Sequence, residues 1–202
     1  MKRVTLAWTG ASGMAYGLRL LECLLAAGVT VDLLVSQAAR IVARQEMDLT
    51  LASGNDELAR QLRERYPGLP GALRVFGREA WFSPAASGSN PADAMVVCPC
   101  TMGSLAAIAQ GLADNLIERA ADVILKERRP LILVPRETPF SLIHLRNMTR
   151  LAEAGATILP ANPGFYHRPQ TVEAVVDFII ARVLDHLAIA HSLMPRWGEQ
   201  AE

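Results

Sequence analysis

Short apolar segments alternate with helical patterns along the whole chain, and this alternation is the strongest constraint on the fold. The apolar segments span 4–8, 31–36, 94–99, 130–135 and 156–160. Strands that are buried on both faces of a parallel sheet have this nearly continuous apolar character. Apolar residues at three-to-four spacing, with matching start and stop signals, predict helices at 14–27, 37–45, 101–111, 115–128, 141–155 and 171–191. We therefore predict a single-domain α/β protein: a Rossmann- or flavodoxin-like, doubly wound parallel sheet with flanking helices.

The number of strands bears on their order in the sheet. Five main strands favour the flavodoxin-like order over the six-stranded dinucleotide order. Residues 54–92 are less regular, with an exposed helical pattern at 57–68 and a turn-rich connection at 83–93. No repeat or domain boundary is evident, so one domain is expected over 1–202, with a polar tail at about 192–202.

Composition excludes several classes of protein. Twenty basic residues balance twenty acidic ones, so net charge gives no indication of nucleic-acid binding or of a polybasic membrane patch. The three cysteines form no CxxC pair, which favours reduced thiols in a cytoplasmic protein. The N-terminus has no signal-peptide pattern, and no segment reaches the roughly 18 apolar residues of a membrane span.

The loop "TGASG" after the first strand is suited to binding an anion. In such folds ligands bind beyond the carboxyl ends of the strands, where free N–H groups and a helix dipole favour a phosphate. The glycines are Gly10, Gly13 and Gly17, which is not the spacing of the dinucleotide fingerprint, and Ser36 stands where that fingerprint has an acid. A plain tight turn with a serine cap at Ser12 is the structural alternative.

A second strand-to-helix loop repeats this design. The segment "PCTMGS" places Thr101 and Ser104 at a helix start. Three hydroxyl-bearing loops at one sheet edge suit a mononucleotide such as FMN, and the absence of a Walker A pattern argues against ATP hydrolysis. Cys98 and Cys100 alternate at the preceding strand end and are interpreted as small packing residues.

Charged residues form a further group of candidates. Arg119 and Lys126 lie two turns apart on one helix face that also carries Asp122, and a solvated face with an internal ion pair is the alternative. Arg136 and Glu137 directly follow a buried strand, where charged residues commonly serve function; the alternative for Glu137 is an N-capping acid.

Several isolated residues also stand out, and each has a purely structural alternative. They are Glu46 after the helix at 37–45, Trp81, Tyr166 in "FYHRPQ", Arg182 inside an apolar helix, and Trp197 in the tail. An arginine among apolar residues needs a partner, so Arg182 is expected to have one.

In combination, "TGASG", "LKERRPL", "VPRETP" and "FYHRPQ" resemble the flavin prenyltransferase (UbiX-like) family over essentially the whole chain. The resemblance implies a metal-independent transferase that joins the dimethylallyl group of dimethylallyl phosphate to reduced FMN at N5 and C6. The product, prenylated FMN, would serve a UbiD-like decarboxylase, as in ubiquinone biosynthesis. Homododecamers are typical of the family.

The resemblance also implies roles for the candidate residues. The prenyl phosphate would be held by Arg119, Lys126, Tyr166 and Arg182, with Ser12 between it and the flavin. Glu137 would be the acid–base group. Glu46 would stabilise positive charge or take a proton, and Trp81 would stabilise an allyl cation through its π face.

The remaining implied roles concern FMN and the exclusion of water. FMN would be bound by Gly10, Ala11, Ser12, Ser36, Thr101, Met102, Gly103, Ser104 and Arg136. Trp197 would act as an active-site lid that excludes water.

Two other functions remain open on this fold. A flavin-dependent cysteine decarboxylase usually carries a P-x-S-A-N-T loop, whereas the corresponding loop here, "PCTMGS", lacks the asparagine. A flavin carrier or storage protein would not need Glu46, Arg119, Lys126 and Glu137 around one cavity.

Overall fold

The computed structural model describes residues 2–195, and Trp197 lies outside them. The strands are β1 (Arg3–Trp8), β2 (Thr30–Val35), β3 (Leu73–Phe76), β4 (Ala94–Cys100), β5 (Leu131–Pro135) and β6 (Thr157–Ile158). The helices are α1 (Met14–Ala26), α2 (Gln37–Met47), α3 (Asn55–Arg65), α4 (Met102–Ala109), α5 (Leu116–Lys126), α6 (Leu142–Glu153) and α7 (Val172–His186). A short 3-10 turn spans Pro84–Ala86.

All strand pairs are parallel, and the sheet has the order β3-β2-β1-β4-β5-β6. The predicted fold class is therefore confirmed, but the predicted number of strands was wrong. The five predicted strands lie in the expected flavodoxin-like order, and β3 adds a sixth beside β2. The result is the six-stranded order of dinucleotide-binding folds.

Two apolar cores cover the two faces of the sheet. Side chains of α1, α2, α3 and α7 pack on one face, with Leu6 and Trp8 of β1. Side chains of α4, α5 and α6 pack on the other face, with Ala7 of β1. Alternate residues of β1 thus enter different cores, as the period of a strand requires.

The predicted helix ends differ from the observed ones by one to five residues, and two of these differences concern the candidate site. Helix α2 continues to Met47, so Glu46 lies in its last turn and not after it. Helix α7 ends at His186 and not at 191, because the chain leaves the helix through Ala188, whose φ is 52°. The N–H of Ile189 then returns to the carbonyl of Leu184, which satisfies a carbonyl at the helix end.

Within residues 2–195, no helix is long and apolar enough to cross a membrane. Over the same range, no group of three or more His, Cys, Asp and Glu side chains is placed to hold a metal ion.

Candidate active site

The candidate site begins at the crevice between β1 and β4. These strands are neighbours, but α1 after β1 and α4 after β4 pack on opposite faces of the sheet. The loops at 9–13 and 101–104 therefore diverge, and such a switch point is where open α/β sheets bind ligands. The predicted FMN-binding residues at 10–12 and 101–104 are brought together at this edge.

Thr9 connects the two loops by hydrogen bonds and was not among the predicted site residues. Its buried hydroxyl donates to the carbonyl of Pro99 at 2.8 Å and accepts the N–H of Thr101 at 2.8 Å. Thr101 in turn caps α4, since its Oγ1 accepts the N–H of Ser104 at 3.0 Å. The one signal in the sequence is that a polar residue ends the apolar run of β1.

Glu46 occupies the N-terminus of α1. Its Oε2 accepts the N–H groups of Gly13 and Met14, each at 2.9 Å. Burial raises the pKa of this carboxyl, but hydrogen bonds from Ser12, Met14 and Gly13 and the charge of Arg136 outweigh that effect and lower it. Glu46 is therefore an ionised group, held at the loop at 9–13, which we call the glycine loop.

Two glycines allow this loop geometry. Gly13 is the N-cap of α1 and has a φ of 111°, a conformation that other residues rarely adopt. A Cβ on Gly10 would lie 2.4 Å from the Cβ of Ala38 in α2. Ser12, expected near the N-cap, makes no capping bond to α1, so the alternative of a plain serine cap does not hold.

A small cavity lies next to the crevice, at the carboxyl ends of β2 and β3. It has a volume of about 100 Å³, and Ser36, Ser104, Gly77, Arg78 and Glu118 are among its lining residues. Ser36 caps α2 by accepting the N–H of Ala39 at 3.1 Å. Arg78 is exposed and was missed by the sequence analysis, because the irregular character of 54–92 concealed β3.

Arg136 and Glu137 follow β5 at the same edge of the sheet. Arg136 is exposed, and Glu137 is half-buried with its Oε1 accepting the N–H of Thr138 at 3.1 Å. The N-cap of α6 is Ser141, which forms a capping box with His144. The capping alternative for Glu137 is therefore wrong.

Two of the predicted phosphate ligands, Arg119 and Lys126, lie on α5. Nε of Arg119 donates to the carbonyl of Ala86 at 3.0 Å, and its guanidinium pairs with Asp122 at 2.7 Å. Lys126 pairs with Glu127 at 2.7 Å. Because α5 leads into β5, its last residue Lys126 lies towards the amino edge of the sheet, away from the glycine loop.

Arg182 lies on α7 and Tyr166 lies beside that helix, on the opposite face of the sheet from α5. They line a cavity of about 530 Å³, together with Phe178, Asp185 and His191. The ring of Tyr166 meets that of Phe178 edge-on, with centroids 5.9 Å apart. The expected partner of Arg182 is Asp185, at 2.8 Å.

The predicted site residues thus form three separate groups within one chain. Ser12, Ser36, Glu46, Arg136 and Glu137 lie at the crevice edge. Arg119, Lys126 and Trp81 belong to α5 and the connection before β4. Tyr166 and Arg182 belong to the face that carries α7. The expectation that these cations surround one pocket is not met within a single copy of the described chain.

The two cysteines of β4 are buried. Burial raises the pKa of the Cys98 thiol well above its usual range, with a further contribution from Cys100, and raises that of Cys100 to about 12. Both are fully buried in the two cores. They remain protonated at neutral pH, in agreement with the packing role expected of them.

Comparison with known proteins places the chain in a family. A family model described as Flavoprotein matches residues 1–184. A flavin prenyltransferase UbiX from Pseudomonas aeruginosa is 55% identical over 98% of this chain and 95% of its own length.

Solved structures agree with this placement. AnUbiX (PadA1), in complex with FMN and dimethylallyl pyrophosphate, matches with a TM-score of 0.88 and 38% identity over 99% of both chains. A dodecameric FMN-dependent UbiX-like decarboxylase from Escherichia coli O157:H7 matches with a TM-score of 0.85 and 37% identity, over 96% of this chain and 98% of that one. The chain therefore belongs to the flavin prenyltransferase family of flavoproteins.

Proposed function

We propose that this chain transfers the dimethylallyl group of dimethylallyl phosphate to N5 and C6 of reduced FMN, giving prenylated FMN. The observation that carries the proposal is the crevice between β1 and β4, where Ser12, Glu46 and Arg136 interact in a chain 55% identical to a flavin prenyltransferase UbiX. A flavin carrier does not need ionised and half-buried carboxylates at this position.

The residues at the crevice fit FMN. Main-chain N–H groups at 10–12 and 101–104 border the switch point, and the cavity beside it carries the hydroxyls of Ser36 and Ser104. Arg78 supplies a cation to this cavity. We assign the phosphate end of FMN to this cavity, since an arginine and hydroxyl donors suit a phosphomonoester.

Reduced FMN supplies the nucleophile of the reaction, and this chain's residues act on the prenyl phosphate. As the allylic C–O bond breaks, the departing phosphate gains negative charge. Cations that face it lower the barrier, and Tyr166 and Arg182 are the donors at the larger cavity. Glu137 is half-buried and accepts the N–H of Thr138, and we assign to it the acid–base role at the phosphate.

Glu46 fits one of its two expected roles better than the other. Its pKa is lowered, and Oε2 is occupied by two N–H donors. A strongly stabilised carboxylate is a weak base, so stabilising the positive character of the allylic group suits Glu46 better than removing a proton.

We propose that the complete site forms between copies of the chain. Arg119 and Lys126 lie on the face of the sheet opposite to Tyr166 and Arg182, so one copy does not gather all four. In the connection before β4, Phe82 is fully exposed and Trp81 is 43% exposed. Such exposure is expected for apolar side chains that another copy of the chain covers. A dodecameric relative supports a homo-oligomer.

The wider setting is also part of the proposal. Prenylated FMN would be released to a UbiD-like decarboxylase, for example in ubiquinone biosynthesis, and the reaction would take place in the cytoplasm without a metal ion. The tail at about 192–202 would close the site, with Trp197 as the lid.

The direct test is an anaerobic incubation of the protein with reduced FMN and dimethylallyl phosphate, followed by mass spectrometry of the flavin. We expect a mass gain of one C5 unit. Recovery of unmodified FMN would refute the proposal and favour a flavin carrier. Turnover of a cysteine-terminated peptide in a parallel sample would instead favour a cysteine decarboxylase.

A further inference from the structure

A chain of hydrogen bonds runs from the segment after α7 to Arg182. The N–H of Leu193 donates to Nδ1 of His191 at 3.4 Å. Nε2 of His191 lies 3.2 Å from Oδ1 of Asp185, whose Oδ2 accepts from the guanidinium of Arg182 at 2.8 Å. Because Nδ1 accepts a main-chain N–H, the neutral imidazole carries its proton on Nε2 and donates it to Asp185.

Burial decreases along this chain of bonds from His191 towards Arg182. The side chain of His191 is 9% exposed and that of Arg182 is 51% exposed. Arg182 faces the 530 Å³ cavity together with Tyr166. A long, half-exposed arginine samples many rotamers unless a partner restrains it. Here Asp185 restrains Arg182, and Asp185 is itself held by the nearly buried His191.

The contact between His191 and Asp185 also affects charge. Asp185 accepts from one terminal nitrogen of Arg182, which leaves the other guanidinium N–H groups directed elsewhere. The N–H of His191 shares the negative charge of Asp185 and weakens its pull on Arg182. The guanidinium is thereby held in place while keeping donors for a second anion.

We propose that Asp185 and His191 are positioning residues that orient Arg182 towards the phosphate of the prenyl substrate. The inference rests on the proposed function, in which Arg182 binds that phosphate. Because His191 also contacts the main chain of Leu193, the path of the C-terminal segment influences where Arg182 points.

The segment after α7 is held to the core by other side chains, so variants of His191 can be compared without displacing it. Ile189 and Leu193 pack against the core on the α1–α7 side independently of the imidazole. His191→Gln places an amide N–H near the position of Nε2 and preserves the donation to Asp185. His191→Asn has a shorter side chain that reaches the N–H of Leu193 but not Asp185. His191→Ala removes both contacts.

The test is anaerobic steady-state kinetics of the FMN-loaded variants, with binding of inorganic phosphate measured by calorimetry. For His191→Ala and His191→Asn we expect KM for dimethylallyl phosphate and Kd for phosphate to rise about tenfold, with kcat and the FMN Kd within about twofold of the parent. His191→Gln should retain parental values. Thermal melting confirms that the variants fold. If His191→Ala does not fold, the comparison of His191→Gln with His191→Asn is sufficient for the test.

The inference would be overturned if the KM for dimethylallyl phosphate and the Kd for phosphate were the same in the parent and all three variants. It would also be overturned if these constants rose equally in all three variants. Phosphate binding keeps this outcome separate from the proposed function. A parent protein that forms no prenylated FMN refutes the function, whereas the phosphate titrations still decide whether His191 positions Arg182.

Discussion

Glu46 defines the candidate site at the level of single residues. Its carboxylate sits where the N–H groups and dipole of α1 favour an anion, and it reaches that point from the last turn of another helix. The glycine loop is thus already bonded to a protein anion at Gly13 and Met14. A bound phosphate must find its donors elsewhere along the edge, which is why the cavity with Ser36, Ser104 and Arg78 is the better position for it.

We expect Glu46→Gln to destabilise the protein at neutral pH by about 1 kcal/mol, as for the loss of a helix cap. The folded-state pKa of Glu46 is lowered, so its contribution is present above the unfolded value of about 4.3 and is lost as pH falls through the folded value. Urea unfolding at pH 7 and at about pH 3 measures the difference in the free energy of unfolding between the parent and Glu46→Gln. The matched control is Glu64→Gln, in an exposed ion pair with Arg60. A deficit that does not shrink at low pH would contradict the capping role.

Arg78→Ala should weaken FMN binding about tenfold and leave riboflavin binding unchanged, because only FMN carries the phosphate. Fluorescence titration of both flavins measures the two Kd values. Arg60→Ala, in the exposed ion pairs of α3, is the control and should affect neither flavin. Equal losses for FMN and riboflavin would mean that Arg78 acts on the fold and not on the phosphate.

The sequence identified many residues at the crevice edge but missed Thr9 and Arg78. The loops after β1, β2, β4 and β5 carry recognisable hydroxyls, glycines and charges. Thr9 acts through two contacts, with Pro99 in β4 and with Thr101 just after it, some ninety residues away, and nothing in its local pattern signals them. Arg78 became a candidate only once β3 was known.

At the level of elements, β3 is the feature that sequence reasoning did not find. Strand β3 has four residues, LRVF, none of them buried, so it lacks the continuous apolar character of the central strands. It joins the sheet through β2, where Arg74 meets the buried Asp32 at 2.6 Å. The five central strands were predictable because burial on both faces leaves a strong pattern, and an edge strand has no such requirement.

Arg74→Ala should cost about 1–3 kcal/mol of stability at pH 7, because it leaves the Asp32 carboxylate buried with Arg3, at 3.8 Å, as its remaining ion-pair partner within residues 2–195. Burial raises the pKa of Asp32, while Arg74 and Arg3 oppose the rise. Without Arg74 the pKa rises further above the unfolded value of about 4, so folding stability falls as pH rises through that interval.

Chemical denaturation at pH 7 and at about pH 3 tests this prediction. The deficit should be largest at pH 7 and nearly absent at pH 3, where Asp32 is protonated in both states. Arg60→Ala, whose ion pairs are exposed, should change stability by less than about 0.5 kcal/mol at either pH. A loss that is the same at both pH values would show that Arg74 contributes by packing alone.

At the level of the whole molecule, the decisive feature is that one chain distributes its candidate groups over three places. The sequence predicted candidate residues but does not assign them to one copy of the chain, because motif spacing does not report which face of the sheet a helix covers. Helices α5 and α7 both bury apolar side chains, and only the topology assigns them to opposite cores. The site that we propose, shared between copies, would reconcile the three groups with one reaction.

The most direct test of this account is product formation by mixed oligomers. Glu137→Gln and Lys126→Ala chains, each nearly inactive alone, are co-expressed with different tags and purified through both. If Glu137 and Lys126 of one site come from different copies, random mixing restores roughly a quarter of the sites. Parental chains mixed with the double variant are the matched control, with roughly a quarter of sites intact for a shared site and roughly half for a site within one chain.

The measurement is the amount of C5-modified flavin formed anaerobically per FMN-loaded chain. We predict clear recovery of activity in the mixture of the two single variants. Activity no higher than that of either variant alone, in purified mixed oligomers, would contradict a site shared between copies.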